Sequence, residues 1–146
     1  MKWNRLSEVD ESKLVCEMSN KRKDLTHLPM NIWIDEAQTY LDGGHSKRVK
    51  FQLDSGNKFN KHNLGSMDLD GNLHCSDIGN LSASDINQLR NFVLNNRYAL
   101  DKIADNDIWI DEIWDSMIMG GEPASFDEIT KLNLKVDELL MGRSVS

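Results

Sequence analysis

Leu6, Val9, Leu14 and Met18 recur at loosely helical spacing after Ser7, with acidic residues crowding the first turn, and predict an N-terminal helix within residues 1–20. The segment "SNKRKDLTHLP" breaks that period, and Pro29 disfavours helix through His27 and Leu28, so 21–29 reads as a basic linker. From Met30 the period drops to two. Met30, Ile32 and Ile34 alternate with Asn31, Trp33 and Asp35, the pattern of a half-buried strand. After the turn residues "LDGGHS", Val49, Phe51 and Leu53 alternate with Arg48, Lys50 and Gln52, which predicts a second strand and a hairpin. "SGNKFNKHNLG" then reads as a long polar loop. "SMDLDGNLHC" predicts another hairpin, and its register can be tested against the pattern. A two-residue Asp70-Gly71 loop would set Leu69 against Asn72 and Met67 against His74, apolar against polar. A three-residue loop keeps Met67, Leu73 and Cys75 on one face and requires Gly71 to be left-handed, so the longer loop is expected. The meander is placed over 30–75.

Helical period returns over 82–141. Ile86, Leu89, Val93, Leu100 and Ile103 share a face after Ser82 or Ser84 as N-cap. Ile110, Ile113, Trp114, Met117 and Ile118 continue as a helical stripe that Gly120 and Gly121 can end. Ser125 and Glu128 form a capping box ahead of Ile129, Leu132, Val136, Leu139 and Leu140, with Gly142 beyond. The string IWIDE occurs at 32–36 and again at 108–112. Its first copy falls under a period of two and its second under 3.6, so the expectation is strand in one place and helix in the other, with no internal duplication. The predicted fold is α+β within one domain, 1–146: a small antiparallel β-meander with helices packed on one face and an acidic C-terminal helical flank.

Charge changes this picture in one region. The chain holds 17 Lys and Arg against 24 Asp and Glu, a net charge of -7, and residues 101–146 carry 4 of the former against 11 of the latter. Duplex binding driven by counterion displacement is disfavoured, and the short basic segments "NKRKD" and "SKRVK" lack the aromatic company of an RNA-binding sheet. The first residues lack the apolar run of a secretory signal, and no apolar stretch is long enough for a membrane span, so an intracellular, cytoplasmic protein without membrane contact is expected. Cys16 and Cys75 are far apart with no CxxC, which indicates reduced thiols.

"LPMNIWIDEAQTYLDGGHSKRVKFQLDSG", followed by "LSASDINQLRNFVLNNRYAL", resembles small bacterial proteins of the domain-of-unknown-function families, the forty-one-sixty type, over about residues 28–104. The features that carry it are a short strand with acidic residues, a His near a turn, a strand of the "RVKFQ" kind and a helix of the "SDI..L..FV..N" kind. The resemblance implies two or three strands followed by a helix, and a place in two-gene modules that resemble toxin and antitoxin pairs. The His-rich and Pro-rich strand of that group is reduced here to His45, so no histidine-based site carries over.

Candidate chemistry is sparse. Ser66, Asp68, Asp70, Gly71 and Asp77 have the rhythm of a calcium loop, but Ser66 stands where Asp is wanted, Asp77 where a bidentate Glu is wanted, and the flanks read as strands. His27, His45, His62 and His74 show no HxxxH or HExxH spacing. No phosphate loop, nucleophile elbow or kinase string is present, and no cofactor is implied. Tryptophan is more informative. Trp109 falls between Asp105, Glu112 and Ser116 opposite the apolar stripe, and Trp33 points with Asn31 and Asp35. A Trp on a polar face either meets a second layer of its own chain, for Trp33 the N-terminal helix, or anchors an interface. The expectation is therefore a non-enzymatic interaction module, antitoxin-like or inhibitor-like, that binds a basic protein surface through Trp109, Asp105, Asp107, Asp111, Glu112 and Asp115, with Trp33 as a further contact. A variant is an acidic DNA mimic that adds Glu122 to those carboxylates, and the enzyme alternative is a metal-assisted hydrolase built on Asp68, His74 and Asp77.

Overall fold

The computed structural model describes residues 26–34, 47–54 and 63–145, with side chains to 142. The predicted N-terminal helix over 1–20, the linker as far as 25, the turn carrying His45 and the loop carrying His62 lie outside the described residues.

The alternating segments form a three-stranded antiparallel sheet in the order β1 (Ile32–Trp33), β2 (Arg48–Gln52), β3 (Leu64–Asp68). Ile32 pairs with Phe51, Val49 with Met67 and Phe51 with Gly65, so the apolar phase of each strand lies on one face. A Cβ at Gly65 would stand 2.9 Å from Phe51 Cζ, and the glycine leaves room for that ring. The predicted second hairpin keeps the expected register: Asp68 N–H donates to the Asn72 carbonyl at 2.9 Å, Met67 bridges Leu73, and Gly71 has φ +88. Its returning strand is shorter than expected, a single bridge at Leu73. The first strand also differs from a half-buried one. Asn31 and Trp33 are as buried as Ile32 and Ile34, so both phases of the period are covered.

The helices share one hydrophobic core with the apolar face of the sheet. α1 (Ala83–Asn95) starts at Ser82, whose hydroxyl accepts from Asp85 N–H at 3.0 Å while the Asp85 carboxylate accepts from Ser82 N–H at 2.9 Å. The predicted long helix breaks at Asn96, and α2 (Arg97–Ala104) follows. Asn96 is fully buried: its amide donates to the Phe92 and Ile118 carbonyls at 2.9 and 2.8 Å, and its Oδ1 accepts from Ile118 N–H at 2.7 Å. Asn95 likewise donates to the Glu122 carbonyl and accepts from Ala124 N–H, and Asn91 donates to the Gly121 carbonyl. Three asparagines thus satisfy the backbone of the irregular 118–124 connection, which would otherwise leave polar groups unpaired against the core. α3 (Ile110–Ile113) runs into a 3-10 turn, Trp114–Ser116. α4 (Phe126–Val145) begins with the predicted capping box and buries Leu132 and Val136. The α+β class holds, and no described helix is long and apolar enough to cross a membrane.

Candidate functional site

α2 ends at Asp105, after which Asn106 takes φ +63 and turns the chain. Ile108 is buried, Trp109 is extended (φ -89, ψ 141), and α3 starts only at Ile110. The second IWIDE is therefore not helical throughout. Ile108 lies in a bend, Trp109 is extended, and the last three residues make the first helical turn, because Trp109 N–H is held by Glu112 Oε1 at 2.8 Å and the first turn starts after that bond. The predicted stripe survives from there: Ile110, Ile113 and Met117 are buried, with Trp114 and Ile118 half-buried.

The acidic residues consequently do not form one helical face. Asp105 stands at the end of α2, Asp107 in the connection, Asp111 and Glu112 in α3 and Asp115 in the 3-10 turn. Asp107, Asp111, Glu112 and Asp115 are exposed, and Trp109 among them is 39% exposed. Asp105 is committed within the chain, since Lys47 Nζ lies 2.6 Å from its carboxylate and 2.7 Å from that of Asp101. Burial alone would lower the Lys47 pKa, but the bonds to both carboxylates outweigh it and raise it. Asp101 is held below its usual value: burial pushes it up, and the bond and charge of Lys47 pull it down further. Trp33 is the other correction. It is 1% exposed, so it is part of the packed interior and offers no surface to a partner.

The three residues of the hydrolase alternative are divided. His74 Nε2 lies 2.8 Å from Asp68 Oδ2, whereas Asp77 is exposed and accepts from Gly79 N–H. Asp68 is not on an open hairpin face, being 8% exposed, and its other oxygen accepts from Asp70 and Asn72 N–H at 2.9 and 3.0 Å. Burial raises its pKa, but the His74 bond and the loop amides win and bring it down to about 2. Asp70, the next oxygen of the calcium rhythm, is turned to Arg97 at 2.9 Å. Among the described residues no group of three or more His, Cys, Asp or Glu is placed to hold a metal ion. Asp68 is instead the pin of its loop, which Arg90 also holds through the Gly71 carbonyl at 2.9 Å.

Two features escaped the sequence reading. On α4, Phe126, Leu134 and Met141 are exposed large apolar residues. On the sheet, Lys50 pairs with Ser66, and His74 N–H donates to the Ser66 carbonyl, so Lys50, Ser66 and His74 form one row across three segments. The three-residue loop register already implied that row, because it sets His74 opposite Ser66. Compared with protein-family models, with curated proteins and with solved structures, the chain matches none.

Proposed function

We propose that this protein is a non-enzymatic interaction module, antitoxin-like or inhibitor-like, whose acidic edge from Asp107 to Asp115 engages a basic surface of a partner protein with Trp109 as anchor. The observation that carries this reading is the half-exposed Trp109 indole set among the exposed carboxylates of Asp107, Asp111 and Asp115, which form no ion pair among the described residues. Between Lys102 and Lys131 the chain has no Lys, Arg or His and eight Asp or Glu. An arginine on the partner can stack its guanidinium on the indole and pair with Asp111 or Asp115, which a lysine does less well because it lacks the planar fork. The same cation-free run favours, as a second reading, a partner whose basic surface ordinarily holds nucleic acid, with Asp107, Asp111, Asp115 and Glu122 standing in for phosphates. Asp105 has no part in either, because Lys47 already occupies it.

The test titrates the full chain with an arginine-rich peptide and a charge-matched lysine-rich peptide, followed by calorimetry and by the Trp109 indole N–H resonance. The arginine peptide should bind more tightly, shift that resonance and lose affinity as salt rises. Trp109→Ala should weaken binding by about 2 kcal/mol or more with little change in melting temperature. Asp111→Lys with Asp115→Lys should slow association and flatten its salt dependence. Early melting with unaltered affinity in Trp109→Ala would remove this edge as the binding surface.

A further inference from the structure

On the face of the sheet that also carries the buried Trp33, Lys50 is a cation with no counter-ion among the described residues. Lys50 is half-buried in the central strand, yet among the described residues its ammonium makes no ion pair or hydrogen bond, and the neighbouring Ser66 hydroxyl, on a residue that is itself buried, makes none either. The pairing Lys50 to Ser66, with His74 N–H on the Ser66 carbonyl, sets the three side chains in one cross-strand row, which continues past Lys50 to the buried Trp33 and is exposed at its His74 end. Such neighbours stand about 5 Å apart at Cβ. The His74–Asp68 contact fixes the face independently. Asp68 and Ser66 are two residues apart on β3 and so point the same way, and a His74 ring that reaches Asp68 Oδ2 at 2.8 Å lies on that side as well.

That contact also fixes what His74 offers. With Nε2 turned to Asp68, the other ring nitrogen, Nδ1, is the one left for a ligand, and the ring is partly open to solvent. Asp68 does not repel an incoming anion as a bare carboxylate would. Its two oxygens are taken by two loop amides and by His74, and Arg48 is its cross-strand neighbour.

We infer that Lys50, Ser66 and His74 form a binding row for a phosphate group carried by a small molecule. Lysine supplies a point charge suited to a phosphate, the hydroxyl supplies a neutral donor, and the His74 Nδ1 supplies a third polar contact. A planar carboxylate presents two oxygens, whereas the row presents three polar groups from three segments, which a tetrahedral hydrogen phosphate, with oxygens that accept and a hydroxyl that donates, can meet together. The site lies on the sheet and is separate from the acidic edge, so it stands or falls independently of the function proposed above.

The experiment uses the full chain, with inorganic phosphate and a mononucleoside monophosphate as probes, at ionic strength matched with sodium chloride. Calorimetry gives affinity and stoichiometry, and amide and imidazole resonances give the location. The expected result is saturable one-to-one binding that perturbs Ser66 and His74, at least tenfold weaker in Lys50→Met and weaker in Ser66→Ala. Lys131→Met, on the exposed side of α4, should bind as the parent does. A tighter nucleotide than phosphate would identify the base as a further contact, and equal affinities would identify the phosphate group as the whole ligand; both support the row. Should Lys50→Met fail to fold, Ser66→Ala and the resonance map decide alone. Non-saturable titration, perturbation away from Ser66 and His74, or equal affinity in folded Lys50→Met or Ser66→Ala would overturn the inference.

Discussion

Ile32-Trp33-Ile34 and Ile108-Trp109-Ile110 are the same tripeptide in two settings, and they agree in more than they differ. In both copies the isoleucines are buried; Trp33 belongs to β1 and Trp109 is extended in its own loop. The tryptophans part company: Trp33 is 1% exposed and Trp109 39%. Local sequence thus decides that the isoleucines turn inward together. Whether a second layer covers the residue between them is decided by what packs there, and the tripeptide carries no information about that. For Trp33 the neighbour across the sheet is Lys50 in the central strand; Trp109 belongs to no described strand and lies between the turn out of α2 and the first turn of α3.

The sharpest way to break this comparison is to truncate both indoles. Trp33→Ala should cost about 3–5 kcal/mol, as loss of a fully buried aromatic does, and Trp109→Ala about 1 kcal/mol or less. Denaturant unfolding of both variants measures the difference. Equal losses would mean that Trp109 is structural and that its exposure is no sign of a binding role.

What the sequence disclosed and what it withheld follow the same division. The period of two gave the apolar face of β2, the odd loop followed from pairing Met67 with Leu73, and the capping box at Ser125 announced α4, because each depends on residues a few positions apart. The break at Asn96 was hidden because its side chain serves Ile118, far along the chain, and the loss of Asp105 from the acidic surface was hidden because its partner, Lys47, stands just ahead of β2, far back in the chain. The acidic helix was misjudged for a related reason. Its apolar stripe is genuine, but a helical period cannot show where the backbone first becomes helical.

Asp68 separates local from long-range effects by pH. Its folded pKa of about 2 lies below the ordinary 3.8, so its pairing stabilises the fold by about 2 kcal/mol above pH 4, and that contribution is lost as pH falls from 4 through 2. Asp68→Asn should lower stability at neutral pH and flatten the acid limb of a stability-against-pH curve. An unchanged acid limb would show that the loop amides and His74 do not depend on the charge.

Gly71 is a position where local chemistry should dominate. Its φ of +88 disfavours any side chain, and a Cβ there would stand 2.8 Å from Arg90 Cγ, so Gly71→Val should cost on the order of 1 kcal/mol or more. A melting temperature equal to the parent's would mean that the loop can take another conformation at no cost.

Glu112 tests the comparison at its finest grain, because it is the last residue of the second IWIDE and holds the N–H of the second. Its carboxylate accepts from Trp109 N–H at 2.8 Å, half of a capping box whose other half is missing, since an indole N–H can donate and never accept. Glu112→Ala should therefore cost about 0.5–1 kcal/mol, the lower part of the range for a lost cap, because the bond is exposed. Glu112→Gln keeps an acceptor and should recover most of that loss, which distinguishes the bond from simple charge at the start of α3. Amide hydrogen exchange gives the local readout: the Trp109 N–H should exchange faster in Glu112→Ala and near the parent rate in Glu112→Gln. If protection is the same in all three, the boundary at Ile110 is set by the burial of Ile110 and Ile113 alone, and nothing within the five-residue string itself converts extended chain into helix.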